Sequence, residues 1–191
     1  RLWGRAEYLG WWIDGMKVPP LVTTSPAASA GVLGQAGTSI LFGDGGLNTD
    51  ARSGGRFTLG MWLDECEFRG VEATYLGLGG EPETFAASNA EIAILARPFF
   101  NVGANQQDAR LIALAGTVSG SVSVTADTEF QGAEILFRRG AARTLCSRTD
   151  YLLGYRWTQL RDSLLIDEST LSLASSTDTV TVAESVRPSS S

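Results

Sequence analysis

Apolar and polar residues alternate with a period of two along RFTLGMWLDE, residues 56–65. Successive side chains of a β-strand point to opposite faces, so this stretch predicts a strand with one apolar and one polar face. A tight turn at 64–67 and a second alternating stretch, FRGVEATYLGL at 68–78, complete a β-hairpin whose faces match across the two strands. The apolar face must be shielded from water by another protein layer or by lipid, and features of the rest of the chain indicate which.

Other candidate strands are separated by segments rich in Gly, Ser, Thr, Asn and Pro, a pattern that predicts an all-β fold of about six or seven strands. These strands are expected at about 5–13, 117–126, 130–138, 151–161 and 163–173. The segments 14–55 and 79–115 are predicted to be long loops, the second with a short helical turn near 86–96. The Ser/Thr-rich segment 174–191 is predicted to be flexible.

The apolar phase changes between the strands expected at 117–126 and 130–138. Val122 and Val124 occupy even positions, whereas Ile135 and Phe137 occupy odd ones. A slip of one residue moves every side chain to the other face, so a turn or a bulge is expected near 127–129, and a hairpin turn is favoured.

The two cysteines depend on this choice. With a turn at 127–129, strand counting puts Cys66 and Cys146 at opposite ends of the sheet, where they cannot form a disulfide. With a bulge, the two cysteines share an end. Their spacing in sequence excludes a CxxC zinc or redox pair.

Three features indicate what lies outside the sheet. A soluble β-sandwich would bury one face of each strand against a second sheet and expose the other. Here the polar faces are poor in Lys and rich in Gly, Thr, Arg and Glu, which suits the interior of a closed barrel. The clearer strands run about nine to eleven residues, the length that a tilted strand needs to cross a bilayer. Aromatic residues cluster near the strand ends, as in interfacial girdles, so lipid is the expected cover.

This orientation assigns the strand residues to two environments. The residues expected to face the lumen are Arg56, Thr58, Asp64, Glu72, Thr74, Glu134 and Arg156. The residues expected to face lipid are Phe57, Leu59, Met61, Leu63, Val71, Ala73, Tyr75, Ile135 and Phe137. A soluble lipocalin-like carrier is the alternative, and it would turn the second set inward around an apolar ligand.

Composition narrows the range of functions. The chain has 191 residues, 43% of them apolar, a net charge of −6, and one lysine among its 15 basic residues. This size fits a single domain, and no basic patch indicates a nucleic-acid partner. The chain contains no histidine, which removes the usual general base and the commonest metal ligand. An enzyme is therefore not expected, and no catalytic, cofactor or metal site is assigned.

Eight segments, taken in order, resemble one family. They are WGRAEYLGWW, PPLVTTSP, GVLGQAGTSILFG, RSGGRFTLGMWLD, GVEATYLGLG, ILARPFFNV, GSVSV with GAEILFRR, and YLLGYRWTQLRDSLLI. From about residue 3 to 168 the chain is similar to the planctomycete-type outer-membrane β-barrel proteins of the beta-barrel protein 7 family. The resemblance implies an antiparallel up-and-down transmembrane barrel in a Gram-negative-type outer membrane, with residues 1–191 as its N-terminal part. It implies no catalytic residues.

Two functions remain open for such a barrel. The first is a structural or porin-like protein whose partners are outer-membrane lipid, small solutes and other envelope proteins. The second is a surface interaction or adhesion protein, in which the loops at 14–55 and 79–115 do the binding and the barrel displays them. A barrel lipase or acyltransferase is a weaker third hypothesis, because no base stands beside a Ser or Thr nucleophile.

Overall fold

The structure, a computed structural model, describes residues 1–12, 14–80, 82–173, 179–186 and 189–190, with side chains up to 173. It is an all-β antiparallel sheet, as predicted, but the twelve strands in these residues exceed the predicted number. The strands are β1 (Leu2–Trp11), β2 (Met16–Thr24), β3 (Ser39–Leu47), β4 (Arg52–Trp62), β5 (Arg69–Leu78), β6 (Glu83–Ser88), β7 (Ile94–Asn101), β8 (Gln106–Leu114), β9 (Val118–Arg143), β10 (Arg148–Ser172), β11 (Thr179–Val186) and β12 (Ser189–Ser190). Within the described residues, no helix has the length and apolarity needed to cross a membrane.

The strand order departs from a simple up-and-down sequence. β1 pairs with β4 rather than β2, β4 pairs with β5, β5 pairs with the second half of β9, and β9 pairs with β10. The strands β2, β3 and β6–β8 are inserted between these neighbours in the chain. The predicted hairpin at 56–78 is confirmed, because β4 and β5 pair from Gly54↔Leu78 to Trp62↔Gly70.

The segments predicted to be long loops contain much of this inserted structure. Segment 14–55 holds β2 and β3, and segment 79–115 holds β6, β7 and β8. The short helical turn expected near 86–96 is a single hydrogen-bonded turn between β6 and β7, where the Ser88 carbonyl oxygen accepts the Glu91 N–H at 3.1 Å and the Ile92 N–H at 3.0 Å. β2 accommodates Pro20 at a register shift against β3, a position where the missing N–H of proline is tolerated. In the predicted flexible segment, β11 and β12 are strands, and 174–178, 187–188 and 191 lie outside the described residues.

β9 and β10 are single strands of 26 and 25 residues, so each of them joins two predicted strands. No turn or bulge lies at 127–129, where β9 continues in register with β10 from Asp127↔Ser163 to Glu129↔Arg161. The expected hairpin turn is therefore wrong. Even-numbered residues of β9 keep facing the same side, and the apolar residues move from that side to the other: Val124 is 0% exposed and Ile135 is 54% exposed.

Two regions follow from this change. The compact region comprises β2, β3 and β6–β8 with residues 118–129 of β9 and 161–172 of β10. It contains the main buried cluster: Val18, Leu21, Val22, Leu47, Ala87, Leu95, Ile112, Ala113, Val122, Val124, Ala126 and Ile166. Phe42 and Phe85 stack at its side, with ring centroids 5.1 Å apart. The conventional core thus lies largely in residues predicted to be loops.

The open sheet comprises β1, β4 and β5 with residues 130–143 of β9 and 148–160 of β10. It is not closed into a barrel. Among the described residues, β1 pairs only with β4, and residues 148–159 pair only with β9. The open sheet therefore has two edges whose backbone groups lack strand partners there.

Candidate functional site: the two faces of the open sheet

The apolar face of the open sheet is exposed and continuous across five strands. Register brings its residues into rows, one of which is Gly4, Leu59, Ala73, Ile135 and Tyr155. The rows on either side contain Phe57, Tyr75 and Trp157, and Leu2, Met61, Val71, Phe137 and Leu153. Leu59 is 71% exposed, and its neighbours in these rows are exposed to similar degrees or half-buried. No protein layer among the described residues covers this face.

Polar rims bound the apolar face at both ends. We call the end beside the compact region the inner rim; there Tyr75 Oη donates to Gln131 Oε1 at 3.2 Å, and Gln131 Nε2 donates to Gln159 Oε1 at 2.9 Å. We call the other end, beside the β4–β5 and β9–β10 turns, the tip rim. There Arg69 lies opposite Arg139 in the β5–β9 register.

The polar face carries a series of ion pairs. Arg56 donates two hydrogen bonds to the Glu7 carboxylate, from Nε to Oε2 at 2.7 Å and from Nη2 to Oε1 at 2.9 Å. Arg5 Nε lies 3.2 Å from the same carboxylate. Arg156 donates to Glu134 on the neighbouring strand. Bidentate and cross-strand pairs of this kind orient charged groups on a sheet face.

A second cluster lies on the same face near the turns. Arg138 reaches Glu72 at 2.9 Å and Asp150 at 3.4 Å, while Arg148 Nε donates to Asp150 at 2.9 Å. Both guanidinium groups lie over the ring of Trp62, at 5.7 Å for Arg138 and 4.6 Å for Arg148. Cation–π contact and ion pairing together fix this cluster.

The residues predicted to face the lumen largely come together. Arg56, Thr58, Glu72, Thr74, Glu134 and Arg156 line one cavity of about 280 Å³ on the polar face. Thr58 is 1% exposed and shares a 3.1 Å hydrogen bond with Thr74. Every carboxylate in this cavity is paired with an arginine, so the arrangement offers charge and hydrogen bonding to a polar solute rather than a free base.

Asp64 is the exception among the predicted lumen residues. It lies in the β4–β5 turn, where its Oδ1 accepts the Phe68 N–H at 2.7 Å and its Oδ2 accepts the Arg69 N–H at 2.9 Å. The Phe68 N–H is the main cause that lowers the pKa of the Asp64 carboxyl below its ordinary value, and the Arg69 side chain adds to it. Asp64 is thus a turn-stabilising residue.

The predicted lipid-facing residues within the strands lie on the apolar face, opposite the cavity. Leu63 follows the end of β4, where it is exposed in the β4–β5 turn. Sequence reasoning missed several members of the polar face: Arg5, Glu7, Arg138, Arg148 and Asp150. The signal for Arg138 was available, because it alternates in phase with Glu134 along β9.

Cys66 and Cys146 are both exposed free thiols. They lie in the turns between β4 and β5 and between β9 and β10, at the same end of the sheet. This is the arrangement expected without a turn at 127–129. The two turns also touch, since Arg143 Nη1 donates to the Cys66 carbonyl oxygen at 3.4 Å.

Comparison with known proteins gives one match. The model of a family described as "Putative beta barrel porin-7 (BBP7)" matches residues 3–189. No curated protein and no solved structure matches the chain.

Proposed function

The chain belongs to the beta barrel porin-7 family, and we propose that it forms a structural or porin-like β-barrel wall in the outer membrane, without catalytic activity. The observation that carries this proposal is the exposed apolar face of the open sheet, backed by an ion-paired polar face. Contiguous exposed apolar surface of this extent marks contact with another protein or with a membrane. In a transmembrane barrel, strands present apolar side chains to lipid and polar ones to the lumen.

The dimensions of the apolar face fit a bilayer. From the inner rim at Gln131 to the tip rim at Arg139, β9 rises by eight residues. At about 3.4 Å per residue this is about 27 Å along the strand. With a tilt of about 40°, the height across the membrane is about 20 Å, close to the apolar band of about 25 Å in outer-membrane barrels.

The reversal of apolar phase along β9 supports a boundary at the inner rim. On one side of it the outward residues are Ser121 and Ser123, and on the other they are Ile135 and Phe137. Water outside the compact region and hydrocarbon outside the open sheet account for both. Because outer-membrane barrels have short periplasmic turns and longer extracellular segments, the proposal puts the compact region on the cell surface.

The lumen in this proposal is lined by the cavity residues and their ion pairs. Paired Arg and Glu groups near a pore set its preference for ions and polar solutes. Small polar solutes and other envelope proteins are therefore the proposed partners beside lipid. A carrier with an apolar interior is disfavoured, because Phe57, Leu59 and Met61 point away from the cavity.

Paired cysteine scanning tests the proposal on the full-length protein. In a C66S/C146S background, the variants I135C and S123C place a thiol on the same outward face of β9, on either side of the inner rim. With the protein in outer-membrane vesicles, a membrane-impermeant maleimide should label S123C and spare I135C. A gel band that shifts on boiling provides the independent check of a closed barrel. Equal labelling of both variants in intact vesicles would contradict the proposal.

A further inference from the structure

The two rims of the apolar face differ in chemistry. The inner rim is neutral, and its Tyr75, Gln131 and Gln159 side chains satisfy one another through hydrogen bonds. The tip rim instead places Arg69 directly opposite Arg139. Like charges opposite each other on neighbouring strands destabilise a sheet, so the tip rim carries a cost that the inner rim avoids.

The charges of the tip rim are incompletely compensated by the protein. The Arg139 side chain is exposed and has no hydrogen bond or ion pair to another residue in the described part of the chain. Arg69 Nε lies 3.3 Å from Asp64 Oδ2, yet the Arg69 side chain remains 65% exposed. The Asp64 carboxylate is shared with two backbone N–H groups. An excess of positive charge therefore faces outward at this level.

Apolar residues continue directly from this pair toward the middle of the sheet. One row further along lie Val71 on β5 and Phe137 on β9, followed by Ala73 and Ile135. The pair is thus at the height where a lipid headgroup would meet the sheet if acyl chains cover the apolar face. Guanidinium groups suit phosphate because their fork of N–H donors matches its oxygens.

We propose that Arg69 and Arg139 together bind the phosphate of an anionic phospholipid headgroup, whose acyl chains lie along Val71 and Phe137. The inference rests on the proposed function, because it requires lipid against the apolar face. It adds a specific lipid site at the tip rim, and the neutral inner rim has no counterpart. A negative charge between the two guanidinium groups also relieves their mutual repulsion.

Native mass spectrometry of the full-length protein tests this site. The probes are phosphatidylglycerol and phosphatidylcholine with identical acyl chains, offered in equal amounts. Wild type should retain phosphatidylglycerol preferentially. The R69Q/R139Q variant should lose about fivefold of this preference per charge removed, the equivalent of about 1 kcal/mol per basic residue at an anionic surface. The R69K/R139K variant should keep most of it.

The matched control is R161Q. Arg161 is an exposed arginine on the outward face of β10 in the compact region, where it pairs with Glu129 at 3.5 Å. Its removal should leave the preference unchanged, and an excess of inorganic phosphate should not displace the lipid. The inference is overturned if wild type retains both lipids equally, if R69Q/R139Q keeps its preference, if R161Q loses as much, or if free phosphate competes.

Insertion is measured separately, by heat modifiability in vesicles of phosphatidylcholine alone. A protein that inserts there but shows no lipid preference contradicts only the headgroup site. A protein that does not insert into these vesicles contradicts the proposed function and, with it, the site.

Discussion

The two halves of β9 lie on one continuous strand and yet place their apolar residues on opposite faces. In the compact region, Val122 and Val124 point inward and are buried; in the open sheet, Ile135 and Phe137 point outward and are exposed. The backbone does not slip between them. In the proposed barrel, this reversal within one strand marks a change of the medium outside the sheet rather than a turn.

The largest difference between the two halves of β9 is expected when a charged residue is introduced on the outward face of each. Ile135→Arg should lower the free energy of unfolding in vesicles by about 4 kcal/mol, the upper end for arginine at the middle of a bilayer. Ser123→Arg, on the same strand face beside the compact region, should change it by less than about 0.5 kcal/mol. Urea titration of the vesicle-inserted protein measures both. Equal effects would mean that the two halves face the same medium.

Leucine truncation compares the two kinds of apolar contact. Leu95 is 0% exposed in the compact region, so Leu95→Ala should cost about 3 to 4 kcal/mol through lost transfer free energy and the cavity left behind. Leu59→Ala should cost about 1 to 2 kcal/mol if lipid covers the apolar face as proposed, since lipid then fills the space and only the transfer contribution is lost. The same titration checks the ratio. A larger cost for Leu59→Ala would show that protein, not lipid, packs on it.

Removing a carboxylate compares the ion pairs of the two regions. The Glu168 side chain is 1% exposed and lies 3.0 Å from Arg97 Nη1 and 3.5 Å from Arg110 Nε. Glu168→Gln should cost about 2 to 3 kcal/mol, because it removes the charge of a buried carboxylate that pairs with two partly exposed arginines. Glu134→Gln should cost at most about 1 kcal/mol, since its partner Arg156 is largely exposed. If both substitutions lowered the free energy of unfolding equally, water would be excluded from the polar face as it is from the compact region.

The smallest effect is expected at the β4–β5 turn. Because the pKa of Asp64 is lowered in the fold, its contribution is present above the ordinary aspartate pKa of about 3.9 and is lost as the pH falls through the lowered value. Asp64→Asn should remove this part of the acid dependence of unfolding. An unchanged acid profile in Asp64→Asn would contradict this assignment.

The faces of the open sheet could be predicted because alternation along β4 and β5 is nearly complete. Successive residues of these strands lie on opposite faces, so whether a residue number is odd or even is enough to assign the residue to the apolar or the polar face. Asp64 was misplaced because the same parity continues past the end of β4 at Trp62, into a turn where alternation has no meaning.

The compact region could not be predicted in the same way. Its strand β2 contains Pro19 and Pro20, and β3 contains three glycines in its nine residues, which are the residues that normally signal loops. These strands are stabilised by burial of Val22 and Leu47 in a core built from distant segments. Tertiary packing of this kind overrides local propensity. Contacts between distant segments cannot be predicted from the residue pattern of one segment alone.

The two edges of the open sheet have no strand partner among the described residues, and in the proposed membrane location this has a consequence for biogenesis. Hydrocarbon offers no hydrogen bonds to the backbone groups of β1 or of residues 148–159 of β10, and each such group costs several kcal/mol there. Entry of one hairpin after another into the lipid would incur that cost at every intermediate stage. The two edges should therefore pair at the same time as the sheet enters the membrane. Alternatively, an assembly factor should pair one of its own strands with an open edge until the barrel closes.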